Sequence, residues 1–334
     1  MSSKRHRVLI VGVGSIGERH LRCFLSTQRT HVSLCEVNES LRDRVAQRYG
    51  IAQTYADIDQ VPPDACDAAV ICAPAPMHVP LATQLAGRRV HLLIEKPLST
   101  TLDGLEDLKQ LIQQKGLVAA VAYNLRAHPV LADVKRVLDE GRFGRPLQIV
   151  CVSGQHFPTY RPAYRQIYYK DRKTGGGAIQ DALTHMLNAG EWLVGPIDRL
   201  LADAAHLKLE GVTVEDTVHL IARHGSVMGS YSLNQHQAPN EAVITIVCER
   251  GTCRAELAPN PRWCWASEPG GPWQPGGAFT FERDTLYIDQ AHAFLDAIEG
   301  KGQPLCTLAQ GEQTLRVNLA ALRSADDTDK FLKI

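Results

Sequence analysis

A glycine-rich turn near the N-terminus constrains the fold of this 334-residue chain more than any other feature. The continuous apolar run Val8–Val11 has the length of a buried strand and leads directly into GVGSIG at residues 12–17. Residues 18–25 then have a helical pattern, which gives the motif the strand–turn–helix context that a chance G-x-G-x-x-G match lacks. A parallel α/β sheet that holds a dinucleotide is therefore predicted for the first third of the chain.

Each residue of this turn has a predicted role in cofactor binding. Gly12 permits the tight turn, Gly14 lets the backbone approach the pyrophosphate, and Gly17 allows the helix to pack closely on the strand. Ser15 and Ile16 lie in the turn that leads into the helix, and the free backbone N–H groups at the helix N-terminus are expected to face the phosphates.

Glu36 is the predicted ribose-binding residue. It follows the apolar run 32–35 and lies nineteen residues after Gly17, close to the spacing at which an acidic residue bonds the adenosine ribose. Because a carboxylate repels the additional phosphate of NADP, NAD is the expected cofactor. A surface glutamate at a strand end is the alternative, and Arg42 and Arg44 keep NADP open because either is able to reach a 2′-phosphate.

Further apolar runs alternate with helical segments as far as residue 121, which indicates a doubly wound parallel sheet. The turn at residues 73–78 follows one of these strands, and the backbone of Ala73 and Pro74 is expected to line the cofactor. His78 either contacts the cofactor or caps and packs the next helix.

Lys96 is the first candidate for chemistry. It lies in Glu95-Lys96-Pro97, directly after the apolar run 90–94. Open α/β sheets bind ligands at the carboxyl ends of their strands, so a cation there is expected to act on a molecule held beside the cofactor. Glu95 and Lys96 are also expected to contact the cofactor itself.

A second candidate group lies on a predicted helix over residues 178–193. Asp181, His185 and Asn188 share one face of this helix, opposite an apolar face. A polar face without lysine or glutamate is typical of a pocket, although a solvated face with an incidental histidine is the alternative. The glycines at 175–177 allow either close approach of a ligand to the helix or a flexible hinge.

The second half of the chain predicts a mainly antiparallel sheet. Strand-like runs at 147–152, 217–222, 227–233 and 242–248 are separated by turns, and a sheet with one uncovered face is expected to form a homodimer or homotetramer. The tryptophan-containing stretch 263–273 is expected to be an irregular surface excursion.

The loop 156–173 interleaves tyrosines with basic residues. Aromatic and basic groups together suit a sugar that carries a carboxylate, a phosphate or a nucleotide, and Tyr164 is the expected substrate contact. An interface loop explains the same composition.

Composition narrows the class of protein. Thirty-six basic residues balance thirty-six acidic ones, which argues against a nucleic-acid partner. The polar N-terminal residues 1–7 and the glycines that follow argue against a signal peptide or a membrane span. Nine cysteines without C-x-x-C spacing are expected to be small buried residues in a reducing cytoplasm rather than disulfides or metal ligands.

Four motifs in order, GVGSIG, EKP, YNLRAHP and GGGAIQDALTHMLN, resemble the glucose–fructose oxidoreductase and inositol dehydrogenase (GFO/IDH/MocA) family over nearly the whole chain. The resemblance implies an NAD(P)-dependent dehydrogenase of sugars, inositols and related polyols. It also implies a Rossmann domain at 1–122 joined to an α+β domain at 123–334 with a large open sheet that mediates oligomers.

The resemblance also assigns residues. Lys96 matches the lysine of the family's EKP motif, and Asp181 and His185 match its D-x-x-x-H pair. Leu183 replaces a glycine and Asn188 an aspartate found in many members; the second change puts the substrate contact at that position in doubt. The crossover residues Asn124 and Arg126 are expected in the substrate cleft.

The chemistry follows from these groups. Oxidation of a secondary alcohol needs a base, and we expect His185 to remove the hydroxyl proton because its ordinary pKa is near 6.5. Lys96 would hydrogen-bond the same oxygen, and Asp181 would orient the substrate through a neighbouring hydroxyl. Two alternatives stay open at this point: a lyase or glycosidase that retains NAD by transient oxidation, and a regulator that binds the dinucleotide without catalysis.

Overall fold

A computed structural model describes residues 5–327 of the chain. Within these residues the two compact units are 5–127 with 282–312, and 128–281 with 313–327. The prediction of a single domain boundary at residue 122 did not foresee that residues 282–312 belong to the first unit.

The first unit contains a six-stranded sheet in which every neighbouring pair is parallel. The strand order is β3-β2-β1-β4-β5-β6, so the order reverses between β1 and β4, where such sheets bind their ligands. The strands are β1 (His6–Val11), β2 (Thr30–Cys35), β3 (Thr54–Tyr55), β4 (Ala68–Ile71), β5 (His91–Ile94) and β6 (Ala119–Val121). The predicted doubly wound parallel sheet is confirmed.

The connecting helices have local sequence reasons to begin and end. They are α1 (Ser15–Ser26), α2 (Glu39–Tyr49), α3 (His78–Gly87) and α4 (Leu105–Lys115). The side chain of Asn38 caps α2 by accepting from the N–H of Leu41, and Gly50 ends it in the left-handed conformation. Residues Val8–Val11 of β1 form a buried apolar run at the centre of the sheet, as a parallel strand covered on both faces requires.

The second unit contains an eight-stranded sheet in the order β14-β13-β12-β11-β7-β10-β9-β8. Its neighbours are antiparallel except for β7 and β10, which run parallel. The strands are β7 (Pro146–His156), β8 (Arg199–Ala205), β9 (Thr217–His224), β10 (Val227–Asn234), β11 (His236–Cys248), β12 (Gly251–Ala258), β13 (Arg262–Ala266) and β14 (Gln274–Ala278). The predicted large, mainly antiparallel sheet is confirmed.

Helices cover one face of this sheet. They are α5 (Pro129–Asp139), the short α6 (Phe157–Tyr160) and α7 (Thr184–Val194), and α7 packs on β7 and β10. Burial alternates along β9, and Ile221 on that strand and Met228 on β10 remain 59% and 53% exposed. The other face of these strands is therefore uncovered in the single chain.

The expectation of an irregular surface excursion at 263–273 is wrong for residues 263–266, which belong to β13, whereas residues 267–273 are irregular and Trp273 is exposed. Trp263 lies in β13 and is buried, and its indole N–H donates to Asp133 on α5. Gly276 of β14 provides the space for the ring, because a side chain there would lie 2.3 Å from it. Two further helices follow in the described residues: α8 (Thr285–Ile298), which packs on α1, and α9 (Leu308–Asp326).

Candidate active site

The glycine turn has the geometry that a bound dinucleotide requires. Gly12 has a φ of +81°, and a side chain at Gly17 would lie 1.9 Å from the carbonyl oxygen of Gly12. Gly14, by contrast, has open space where a side chain would project, and Gly14 and Ser15 are exposed. No side chain caps the start of α1, so the N–H groups around Ser15 and Ile16 suit a phosphate.

Glu36 is held at the end of β2 by the turn itself. Its carboxylate accepts from the backbone N–H of Val13 at 3.0 Å and of Asn38 at 2.9 Å. A carboxylate with four lone-pair positions retains capacity for ribose hydroxyls. The turn and Glu36 therefore fit an NAD molecule.

The turn after β4 lies beside the glycine turn. A side chain on Gly12 would approach the carbonyl group of Cys72 to 3.0 Å, so Ala73 and Pro74 follow at the same edge of the sheet. His78 is buried, with Nδ1 2.9 Å from the carbonyl oxygen of Pro97 and Nε2 2.7 Å from that of Ala73. Burial lowers the pKa of His78, and these carbonyl groups oppose that effect. The ring of His78 thus contacts backbone carbonyl groups within the first unit, as expected if His78 packs the next helix rather than contacts the cofactor.

Lys96 follows β5 at the carboxyl edge of the sheet and is half-buried. Glu95 beside it is buried: one carboxylate oxygen contacts Nε2 of His20 at 2.7 Å, and the other accepts from the N–H of Lys96 at 2.9 Å. Burial opposes ionisation of Glu95, but the hydrogen bond and charge of His20, together with Lys96, lower its pKa. The Glu95 side chain points into the unit, so a cofactor contact there stays a prediction only for its backbone.

The crossover residues differ in exposure. Asn124 is partly exposed, whereas Arg126 is buried. A guanidinium nitrogen of Arg126 donates to the carbonyl oxygen of Leu305 at 3.0 Å and to Oε1 of Gln310 at 2.7 Å. Arg126 thereby ties the crossover to the returning segment of the first unit.

The glycines at 175–177 serve the protein's own packing. A side chain at Gly176 would lie 2.1 Å from the carbonyl oxygen of Tyr169, and one at Gly177 would lie 2.4 Å from Oε1 of Glu215. Glu215 is buried and also accepts from the N–H of Ile179 and from Arg172. The close approach that these glycines permit is therefore to the loop and to Glu215.

Asp181 lies in a π-helical turn (Ile179–Leu183) that precedes α7, where a regular α-helix was predicted. Such wider turns occur frequently at functional sites because they re-aim side chains. The hydroxyl of Tyr168 donates to Asp181 at 2.6 Å, and His185 is partly exposed in the first turn of α7. Lys96 belongs to the first unit, whereas Asp181 and His185 belong to the second.

The other two predicted substrate contacts are buried. Asn188 is 1% exposed and donates to Oγ1 of Thr314 at 2.9 Å. Tyr164 is 2% exposed, packs on Phe157 and Tyr169, and donates its hydroxyl to the carbonyl oxygen of Glu210. Tyr168, which sequence reasoning did not single out, is the exposed tyrosine that reaches a candidate site residue.

Among residues 5–327 no group of three or more His, Cys, Asp and Glu side chains is arranged to hold a metal ion. Within the same range no helix combines the length and apolarity needed to cross a membrane.

Comparison with known proteins identifies the family. Residues 6–123 match the model of the GFO/IDH/MocA oxidoreductase family, NAD-binding Rossmann fold, and residues 131–254 match the GFO/IDH/MocA C-terminal domain. Myo-inositol dehydrogenase Hyg17 of Streptomyces leeuwenhoekii is 27% identical over 326 residues, which cover 95% of this chain and 97% of that protein.

Solved structures share the fold. A levoglucosan dehydrogenase in complex with NADH superposes with a TM-score of 0.86 at 20% identity and covers 97% of each chain. The WlbA dehydrogenase from Bordetella pertussis in complex with NADH and UDP-GlcNAcA gives a TM-score of 0.83 at 23% identity, covering 98% of this chain and 97% of its own. The chain belongs to the GFO/IDH/MocA oxidoreductase family and is an NAD-dependent dehydrogenase.

Proposed function

We propose that the protein oxidises a secondary hydroxyl of a sugar-like or cyclitol substrate with NAD. The chain's relatives include an enzyme named for myo-inositol and another named for levoglucosan, which supports this substrate class. The single observation that carries the proposal is the pairing of Asp181 with Tyr168 one helical turn before the partly exposed His185. This arrangement supplies a base and a hydroxyl-binding carboxylate together.

The roles of the residues follow from their chemistry. His185 removes the hydroxyl proton, since an imidazole is able to accept a proton near neutral pH. Lys96 stabilises the negative charge that develops on the same oxygen. Asp181, held by Tyr168, accepts a hydrogen bond from a neighbouring substrate hydroxyl. NAD, when bound, supplies the hydride acceptor.

The preferred substrate in this proposal is neutral. The basic residues of the loop 156–173 suggested an anionic substrate, but Arg165 contacts the carbonyl oxygen and carboxylate of Glu210. Arg172 pairs with Glu215 at 2.7 Å and with Asp326 at 2.8 Å. Because these two of the loop's basic residues already have carboxylate partners, we place neutral polyols ahead of sugar acids and nucleotide-linked sugars as substrates.

The test is a screen of purified protein with NAD against inositols, neutral sugars, sugar acids and nucleotide-linked sugars, following NADH absorbance. The substrate found is then used with His185→Ala, for which we expect turnover to fall on the order of 10²–10⁴-fold with NAD binding retained. His31→Ala, at an exposed histidine on β2, is the matched control and should keep wild-type turnover. Full activity of the His185→Ala variant, or no NADH with any polyol, contradicts the proposal.

We also infer that the chain forms a homodimer or homotetramer through the uncovered face of the eight-stranded sheet. The exposed apolar side chains of Leu201, Ile221 and Met228 support this inference, since exposed apolar residues on an open sheet are typical of an interface. A monomer at micromolar concentration in sedimentation velocity would contradict it.

A further inference from the structure

A buried histidine–carboxylate pair, His20 and Glu95, contacts the backbone N–H of Lys96. His20, on the first helix after the glycine turn, is fully buried, and its Nε2 lies 2.7 Å from Oε1 of Glu95. The second carboxylate oxygen of Glu95 accepts from the backbone N–H of Lys96. One carboxylate therefore links α1 to the peptide that carries the candidate catalytic lysine.

The two ring nitrogens of His20 have different surroundings. Nδ1 of His20 is buried and has no hydrogen-bond partner. Nε2 is therefore the ring atom that holds Glu95, and a hydrogen bond to a carboxylate is of the stronger, charge-assisted kind.

The remaining side of the same peptide is also held from within the unit. The carbonyl oxygen of Pro97 lies 2.9 Å from Nδ1 of the buried His78 on α3. The backbone of Glu95 donates to the carbonyl oxygen of Ile71 on the neighbouring strand. With Glu95 and Pro97 both fixed, the position of Lys96 depends on contacts made by α1 and α3.

We propose that His20, acting through Glu95, is a positioning residue for Lys96. The proposal rests on the proposed function, in which Lys96 stabilises charge on the reacting oxygen. Without the donor of His20, the buried carboxylate loses its charge-assisted bond, and it either takes up a proton or leaves the N–H of Lys96 to find another partner. A shift of about 1 Å in the lysine is enough to lower turnover about 100-fold.

The first experiment compares two substitutions at one site. His20→Leu removes the donor, and we expect kcat to fall about 10- to 100-fold while the Kd for NADH stays within about threefold. His20→Gln carries an amide N–H near the position of Nε2 and should restore kcat to within about threefold of wild type. His6→Leu is the matched control, because it removes a 2.9 Å histidine–glutamate contact to Glu299 elsewhere in the unit and should leave kcat unchanged.

The second experiment separates this proposal from the proposed function. If His20 acts through Lys96, adding His20→Leu to a Lys96→Met enzyme should lower kcat by less than about threefold, because the two changes remove one effect. Effects that multiply would overturn the proposal, as would wild-type kcat in His20→Leu or an equal loss in His20→Gln. If Lys96→Met alone keeps full activity, the role of Lys96 in the proposed function fails, and the positioning role fails with it.

A third substitution tests the proposal in case the His20 variants do not fold. Glu95→Gln keeps the side-chain volume but removes the charge, and we expect a fall in kcat of about tenfold or more with thermal unfolding and the KM for NAD little changed. Wild-type kcat in Glu95→Gln would overturn the proposal.

Discussion

At the scale of one side chain, we expect Glu36 to determine the choice of cofactor. Its two oxygens are fixed by the N–H groups of Val13 and Asn38, so the carboxylate is held in place before any cofactor binds. Arg42, the nearest cation considered for NADP, donates to the carbonyl oxygen of Glu36. We therefore expect this fixed negative charge to oppose binding of a 2′-phosphate, with Arg42 already engaged by the Glu36 carbonyl group.

Glu36→Gln should shift the enzyme towards NADP. We expect the ratio of kcat/KM for NADP to that for NAD to rise about 10- to 100-fold, because like-charge repulsion is removed while the side-chain size is kept. Steady-state kinetics with both cofactors measures the ratio. Glu39→Gln, the same charge change at an exposed position three residues later, is the control. An unchanged ratio in Glu36→Gln would show that Glu36 does not select the cofactor.

Local spacing explains which site residues were predictable from sequence. The glycine turn and Glu36 lie within one strand–helix–strand unit, so their roles follow from the distances between them in the chain. The contact between His20 and Glu95 joins residues 75 positions apart and depends on how α1 packs on the sheet. Tyr168 is one of several tyrosines in its loop, and only folding distinguishes it from the buried Tyr164.

At the scale of the element, two glycines near the start of α1 have different roles. Gly14 has a φ of −60° and open space beside it, so an alanine fits the protein but occupies space near the phosphate site. Gly17 touches the carbonyl oxygen of Gly12 closely enough that an alanine there must displace backbone.

The two alanine variants should therefore fail in different assays. Gly17→Ala should lower the free energy of unfolding by about 1–3 kcal/mol, because overpacking moves the backbone. Gly14→Ala should leave that free energy unchanged or slightly higher while raising the Kd for NADH about tenfold. Urea unfolding without ligand and calorimetric titration of NADH measure the two quantities. Wild-type NADH affinity in Gly14→Ala would show that the pyrophosphate does not bind at this turn.

Two elements show why a pattern alone was insufficient. The apolar spacing over 178–193 fits a regular α-helix, but the contacts of Gly176 and Gly177 with Tyr169 and Glu215 set the start of the helix, and a π-helical turn follows. The strands β13 and β14 pair although β14 contains Pro275, Gly276 and Gly277, which are residues typical of loops. They form because Trp263 packs against Gly276, a contact that the local composition does not encode.

At the scale of the whole molecule, the largest departure from the sequence reasoning is the return of residues 282–312 to the first unit. Helix α8 packs on α1, and Arg22 makes a bidentate ion pair with Asp284 just before it. From sequence alone, an amphipathic helix such as α8 is able to pack on either unit. Tertiary contacts that are distant in sequence therefore decide its place.

Buried histidines give the whole molecule a pH dependence. Burial lowers the pKa of His128 to about 4, with the carbonyl group of Leu257 opposing, and it also lowers the pKa of His78, His91 and His224. The folded-state pKa thus lies below the unfolded value of about 6.5. The unfolded chain binds more protons between these values, so stability is fully present above pH 6.5 and declines as the pH falls towards 4.

His128→Phe tests this dependence at one residue. His128 is buried at the start of α5, packs edge-on against Phe281 with ring centroids 5.1 Å apart, and has an Nδ1 without a hydrogen-bond partner, so a phenyl ring suits the site. Between pH 7.5 and 5 the wild type should lose about 2 kcal/mol of unfolding free energy through this residue alone. Urea unfolding at both pH values should show a loss smaller by that amount in the variant. If the two proteins lose equal stability, burial does not keep His128 neutral in the folded state, and other groups cause the acid sensitivity.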